Sequence, residues 1–348
     1  MAPPRIIVRG FRYRLPRRYL RALPPRIALA AALVLCALPV YASCRAPQSL
    51  QAAVKAHPTA SGWAQLANWF GEHRQFTCAA QALHSALRFD PSSTQLNYLL
   101  GLASFESHNL NAAIPALRRV IAQAPSAPRP RLLLASVYMY LQQWKNAASQ
   151  WQAAVTADPG NSMALHGLSH CFVQLGNNSA AINLLRNATL DPALTLDLAV
   201  AYTGAGRYHK ALAALRTTLL HSSAPPASTA PLRAMLAWVL LDDRRPAAAL
   251  PVARQAFTAA PTLPAAQIAL GRALVETGHA PSAIQVLAPA QKQDPRNLEI
   301  HVDLARAYAD AGHPNIARRE RHLCLQLVAE ADTAAIPGME EKEAAPAQ

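Results

Sequence analysis

The sequence predicts an all-α chain of repeated helical hairpins, and three observations carry that expectation. Prolines closing a polar turn recur at Pro58, Pro91, Pro125, Pro159, Pro192, Pro226, Pro261 and Pro295, at intervals of 33 to 35 residues. Glycine is scarce and proline abundant, 13 against 28 in 348 residues, which suits short helices stopped by proline and suits a β-sandwich badly. Hydrophobic residues make up 52% and charged residues 15%, so there is ample apolar surface to offset the entropy of ordering, and a disordered chain is excluded.

The N-terminal segment accounts for most of the charge. The formal net charge is +14, and eight arginines (Arg5, Arg9, Arg12, Arg14, Arg17, Arg18, Arg21 and Arg26) with no acid lie within residues 1–44. Capture of nucleic-acid phosphate needs cations clustered on one face, and the rest of the chain carries only scattered ones. Nucleic acid is therefore not the expected partner. Residues 1–26 form an Arg-rich arm, and Ile27 to Leu38 follow without a polar side chain before Pro39 breaks the run. A cationic stretch, an apolar stretch and small residues ending at Ala42 make an export signal cleaved near Ala42. The competing reading is an uncleaved anchor over residues 27–43, although the 16 residues from Ile27 to Ala42 fall just short of a full span. In either case the arginines stay in the cytoplasm and the remainder crosses. That places the body on the outer side of a bacterial inner membrane, or exported. Arginine outnumbers lysine 28 to 5, which together with the heavy use of alanine fits a high-GC bacterial genome.

Cysteines at 36, 44, 78, 171 and 324 show no paired spacing, which argues against a disulfide scaffold and a zinc ribbon. Cys78, Cys171 and Cys324 fall in widely separated repeats and are expected to be buried thiols. Acylation of Cys44 would make a lipoprotein, but bulky Tyr41 stands where such signals prefer Leu or Val. Residues 44–59 form a linker in which Leu50 to Ala56 has the spacing of a short amphipathic helix.

From residue 60 the same two-part pattern recurs. The first half of each unit places Leu-Ala or Leu-Gly three residues before Tyr or Phe, as in Leu66-Ala67 and Phe70, Leu134-Ala135 and Tyr138, Leu198-Ala199 and Tyr202, and Leu304-Ala305 and Tyr308. The second half reads Ala, three residues, a bulky apolar residue, two residues and a small residue, as in Ala79, Leu83 and Ala86, or Ala147, Trp151 and Ala154. Apolar residues three and four apart make the stripe of an amphipathic helix. The small positions are where two helices cross closely. Gly176-Asn177-Asn178, Gly204-Ala205-Gly206 and Gly278-His279 mark the turn between halves, and each Asp-Pro pair, such as Asp90-Pro91 and Asp191-Pro192, is expected to end a helix.

This pattern resembles the tetratricopeptide repeat family, whose units of 34 residues carry Trp-x2-Leu-Gly-x2-Tyr, then Ala-x3-Phe, then Pro. The resemblance covers residues 60–331 in eight units: 60–93, 94–127, 128–161, 162–191, 192–225, 230–263, 264–297 and 298–331. It implies a right-handed superhelix of stacked hairpins with a concave groove lined by the first helix of each unit. Three departures stand out. Unit five is expected to lose about a turn of its first helix, Ser222 to Pro231 reads as a loosened joint, and Arg321 and Ala329 give the last unit the polar outer helix of a terminal cap. Residues 332–348 lack a stripe and read as a disordered acidic tail.

Carried over by phase, the groove comprises Asn68, Tyr98, Phe105, Met139, Tyr140, His166, His170, Trp238, Arg272 and Arg306. Family members that grip an acidic chaperone tail present paired Lys and Asn there, and only Asn68 survives from that set, so such a tail is not expected. His166 and His170 are four apart on one helix, half of a zinc site, and no further ligand at fixed spacing completes it. No His-Glu-x2-His, Gly-x-Ser-x-Gly or phosphate-cradling glycine loop is present. No metal and no cofactor is expected. The sequence reads as a non-catalytic scaffold of the bacterial envelope that binds a peptide or helix of a partner protein. The alternative is an accessory subunit of a polysaccharide, peptidoglycan or secretion complex; an enzyme in its own right is the remotest reading.

Overall fold

The computed structural model describes residues 6–8, 11–13, 44–186 and 191–334. The apolar segment predicted at 27–43, most of the Arg-rich arm and the tail from 335 onward lie outside the described residues. Within the arm, β1 (Ile6–Val8) and β2 (Phe11–Tyr13) pair antiparallel, with Ile6 opposite Tyr13 and Val8 opposite Phe11. Every described element from residue 44 onward is helical. Among the described residues no helix is long and apolar enough to cross a membrane.

After α1 (Gln48–Ala56) the helices alternate between the first and second member of a hairpin. The first helices are α2 (Ala60–Glu72), α4 (Thr94–Glu106), α6 (Pro128–Tyr140), α8 (Ser162–Gln174), α10 (Pro192–Gly204), α12 (Pro226–Asp242), α14 (Pro264–Glu276) and α16 (Leu298–Asp310). The second helices are α3 (Phe76–Leu87), α5 (Leu110–Gln123), α7 (Trp144–Ala157), α9 (Asn178–Leu185), α11 (Tyr208–His221), α13 (Pro246–Ala259), α15 (Ala280–Gln293) and α17 (Pro314–Ala334). The chain divides between Gly176 and Asn177 into two compact units, one holding α1 to α8 and the other α9 to α17.

Local chemistry sets the ends of these helices. Side-chain oxygens of Thr59, Ser93, Asn161, Asp191 and Asn297 accept from the first free backbone N–H groups of α2, α4, α8, α10 and α16. Each hairpin then turns through one residue of positive φ. Glycine fills that position at 176, 206, 278 and 312, while Arg74, His108, Gln142 and Arg244 take it at some conformational cost.

Packing follows the small-against-large pattern. In the N-terminal unit Leu66, Ala67 and Phe70 of α2 meet Cys78, Ala79, Leu83 and Ala86 of α3 in one buried cluster. In the C-terminal unit Leu270 and Leu274 of α14 pack with Leu287 of α15 and Leu304 of α16. A Cβ at Gly101 would lie 2.6 Å from Leu117, one at Gly271 2.3 Å from Leu287, and one at Gly167 2.3 Å from the Trp151 indole, so a larger residue at any of them would force the facing side chain to shift. Each such leucine withdrawn from water contributes roughly 1.5–3 kcal/mol. Consecutive first helices from α4 to α8 and from α10 to α16 also touch one another, as α12 does α14, and no pair of second helices does so to the same extent. The first helices therefore line the inner side of each stack.

Four expectations need correction. Cys78 is not a free thiol: it forms a disulfide with Cys44, their Cα atoms 5.5 Å apart, because α1 and α2 fold the chain back and bring the start of the linker onto α3. That bond also engages the sulfur that acylation would need. Unit five keeps a full first helix of 13 residues, since Pro192 opens α10 at its first position with Asp191 as the cap. The shortening falls instead on α9, which has 8 residues. The joint expected from Ser222 to Pro231 is narrower, because α12 starts at Pro226 and carries Pro231 inside it. There Thr229 and Arg233 donate to the Pro226 carbonyl in the first turn of the helix. Finally, α17 runs on to Ala334, past the expected start of the tail.

Candidate functional site

The inner face of the N-terminal unit is apolar and aromatic, with an acidic edge. Asn68 is exposed on α2 and donates to Glu72 Oε1 at 2.8 Å. Beside it a cavity of about 370 Å³ opens between α2, α3 and α4, floored by Phe76, Leu83, Leu99 and Leu102 and edged by Glu72 and Glu106. Further along, Phe105 of α4 and Tyr140 of α6 meet edge to face with ring centroids 5.4 Å apart, and Tyr140 is 62% exposed. Tyr98 does not join them; it lines a separate opening between α4, the end of α5 and the start of α6. Met139 turns toward the packing, where its sulfur accepts from the Trp151 indole at 3.1 Å. His166 and His170 lie on one face of α8 with ring centroids 6.5 Å apart, and Trp144 stands 5.7 Å from His170. No group of three or more His, Cys, Asp or Glu side chains among the described residues is arranged to hold a metal ion.

The inner face of the C-terminal unit has a different chemistry. Trp238 is buried at 4% exposure, and the Arg272 guanidinium covers its ring, 4.9 Å from the centroid. The tryptophan therefore meets a partner only through that arginine. Arg272 pairs with Asp242 at 3.7 Å and with Glu276 at 3.3 Å, while Arg306, one repeat later, is exposed. Glu299 and Asp303 complete an acidic group around Arg272. Burial, opposed by Arg272, pushes both carboxyls up to about 7, and it raises Asp242 as well. Burial likewise holds the Cys171 and Cys324 thiols up at about 12, so neither is a ready nucleophile.

Charge is segregated along the hairpins. The second helices α3, α5, α7, α9, α11, α13 and α15 contain no Asp or Glu. Every acid on the helices from α2 to α16 belongs to a first helix. The acids of these hairpins thus lie on first helices, of which α6 and α8 carry none.

Helical hairpins of this length, stacked with first helices inside, match one repeat family in sequence as well. Profiles of the tetratricopeptide repeat match residues 64–128, 132–194 and 240–296, together more than half of the chain. The chain belongs to the tetratricopeptide repeat family. Tetratricopeptide repeats build protein–protein interaction scaffolds. Among solved structures, a tetratricopeptide repeat protein from Parabacteroides merdae superposes with a TM-score of 0.59 at 15% identity, covering 71% of this chain and 98% of that one. The APC/C hetero-tetramer Cut9–Hcn1 contains a chain that gives 0.53 at 17% identity, over 75% of this chain and 53% of that one. At such identities the likeness is one of fold. A comparison with curated protein sequences gives no match.

The groove residues expected from the tetratricopeptide phase include none of the acids. Glu72 and Glu106, and likewise Asp242, Glu276 and Asp310, each recur 34 residues apart at the last position of a first helix. That register was the signal that would have found them.

Proposed function

We propose that the chain is a non-catalytic scaffold of the bacterial cell envelope, holding a peptide or helix of a partner protein against the inner faces of its tetratricopeptide stacks. The observation that carries this reading is the exposed Tyr140 ring packed on a half-buried Phe105, on the same stack as an apolar cavity with an acidic edge. Aromatic side chains offer large contact area at small entropic cost, and binding energy concentrates on them. Three features support export: the Arg-rich arm, the apolar segment behind it and the Cys44–Cys78 disulfide, a bond that persists mainly in oxidising compartments. Residues 27–43 either anchor the scaffold or leave it on cleavage near Ala42.

The test is affinity capture with the full chain and with a Phe105→Ala/Tyr140→Ala variant. The variant should lose the captured partner while its helical content by circular dichroism stays unchanged. Equal capture by both refutes the groove. For the compartment, alkaline phosphatase fused after Gln348 should be active in a bacterial host, and an inactive fusion overturns the export reading.

A further inference from the structure

The stretch of chain around α5, α6 and α7 carries cations and no acid. Between Glu106 and Asp158 the sequence contains no aspartate or glutamate, while Arg118, Arg119, Arg129, Arg131 and Lys145 all fall there. Two of these arginines come to one place. A cavity of about 190 Å³ opens between α5, α6 and α7, with Arg118, Arg131, Tyr138, Asn146, Ser149 and Gln150 in its walls and no carboxylate among them. It lies between two second helices, away from the inner face of the stack.

Only neutral groups hold the two guanidinium groups. Arg118 Nη2 donates to the Tyr138 hydroxyl at 2.8 Å. Arg131 donates from Nε and Nη2 to the Pro125 carbonyl at 3.2 and 3.1 Å, and from Nη1 to Gln150 Oε1 at 3.3 Å. Among the described residues no carboxylate pairs with either arginine. The two side chains are therefore positioned while their charges stay unbalanced, and an anion between them relieves their mutual repulsion. Tyr138 is buried, and its hydroxyl, engaged as an acceptor, keeps its own proton to give. Gln150 has its oxygen engaged by Arg131 and its amide N–H groups left to donate.

We propose that this cavity binds a phosphate group, as free phosphate or as the end of a phosphate monoester. Arginine supplies paired N–H donors that match neighbouring phosphate oxygens. Donors reach the cavity from all three helices, Arg118 from α5, Arg131 and Tyr138 from α6, and Ser149 and Gln150 from α7. That arrangement suits a tetrahedral group with oxygens on every side better than a flat carboxylate. The volume falls below the roughly 300–1,000 Å³ of pockets that enclose a whole small molecule, so the recess takes one anionic group and leaves its bearer outside. The inference goes beyond the scaffold reading and does not depend on it.

The experiment uses the full chain labelled with 13Cζ-tyrosine. Tyr138 accepts from Arg118, so its signal follows that hydrogen bond, and a Tyr138→Phe variant assigns it. Sodium phosphate is titrated at pH 8, with sodium chloride holding the ionic strength constant so that screening does not change. Phosphate should shift the Tyr138 signal saturably and leave the other tyrosines in place; sodium acetate should not. Arg118→Gln and Arg131→Gln should each weaken phosphate at least tenfold. Arg119→Gln, on the same helix but outside the cavity, should leave the affinity within twofold. Circular dichroism certifies folding, and the exposed Arg118 keeps the test informative should the Arg131 change loosen the turn at Pro125. A second arm replaces phosphate by monomeric dihexanoyl phosphatidic acid. Tenfold tighter binding of the lipid identifies a membrane headgroup as the source, and equal or weaker binding identifies a soluble phosphate. A Tyr138 signal that neither probe moves, an equal response to acetate, or undiminished binding by Arg118→Gln overturns the site. None of the substituted residues takes part in the capture test, so failure of either experiment leaves the other standing.

Discussion

Two glycines of the N-terminal unit, changed to the same residue, should move stability in opposite directions. Gly167 on α8 faces Trp151 on α7, and an added Cβ would lie 2.3, 2.5 and 2.7 Å from three atoms of the indole. Carbon atoms rest about 3.5–4.0 Å apart, so the ring would have to retreat by more than an ångström. It has little room: Trp151 is 3% exposed, and its N–H is held by the Met139 sulfur. Overpacking of this kind costs about 1–3 kcal/mol, against a gain of about 1 kcal/mol from replacing a helical glycine by alanine. Gly71 on α2 has nothing within 4 Å of its missing Cβ, so there only the gain applies, reduced by its place near the helix end. Urea unfolding followed by circular dichroism should therefore show Gly167→Ala with a lower midpoint than the parent chain and Gly71→Ala with an equal or higher one. A Gly167→Ala chain as stable as Gly71→Ala would refute the close helix crossing on which the stacking account depends.

Two other outcomes are expected. Breaking the Cys44–Cys78 bond by Cys44→Ala should destabilise the N-terminal unit by about 3–4 kcal/mol, the chain-entropy value for a loop of 34 residues, with reductant lowering the parent to the same midpoint. If reductant leaves the parent unchanged, the bond does not secure the first hairpin. The acidic group around Arg272 gives a pH signature. Glu299 and Asp303 titrate near 7 in the folded chain and near 4 when unfolded, so the folded state binds more protons in between. Their contribution to stability is therefore full below about pH 4 and is lost as pH rises toward 7. Asp303→Asn should flatten that fall and raise stability at pH 8 by about 2 kcal/mol, within an upper bound of about 4 kcal/mol set by the shift. A variant no more stable than the parent at pH 8 contradicts the buried charge.

The repeat was legible in the sequence because its signals are local. A proline every 33 to 35 residues, small residues at the crossings and an apolar stripe in each half all act within one hairpin. The ambiguous signals were those with two local solutions. Asp-Pro follows a helix at Asp90, Asp158 and Asp294, yet at Asp191 it opens one, since aspartate caps as readily as it turns and proline suits the first helical position. Proline was also read too simply as a stop, for Pro115, Pro251 and Pro289 sit inside second helices on exposed faces where a missing hydrogen bond is answered by water. The Cys44–Cys78 pairing needed the path of α1 and α2, which no spacing rule contains. For the candidate site, the aromatic pair Phe105 and Tyr140 could be read from phase alone. The burial of Trp238 beneath Arg272 could not, because it depends on two successive first helices, α12 and α14, closing on one another.

The most direct measurement is site-specific photocrosslinking of the full chain in its host, with the photoreactive residue at Tyr140 on an inner face or at Arg119 on a second helix. A partner polypeptide bound by the inner face should crosslink from position 140 and not from 119, and the adduct should disappear when Phe105 is changed to Ala. Crosslinks to one partner from position 119, with none from position 140, would mean that the stacks present their outer helices instead.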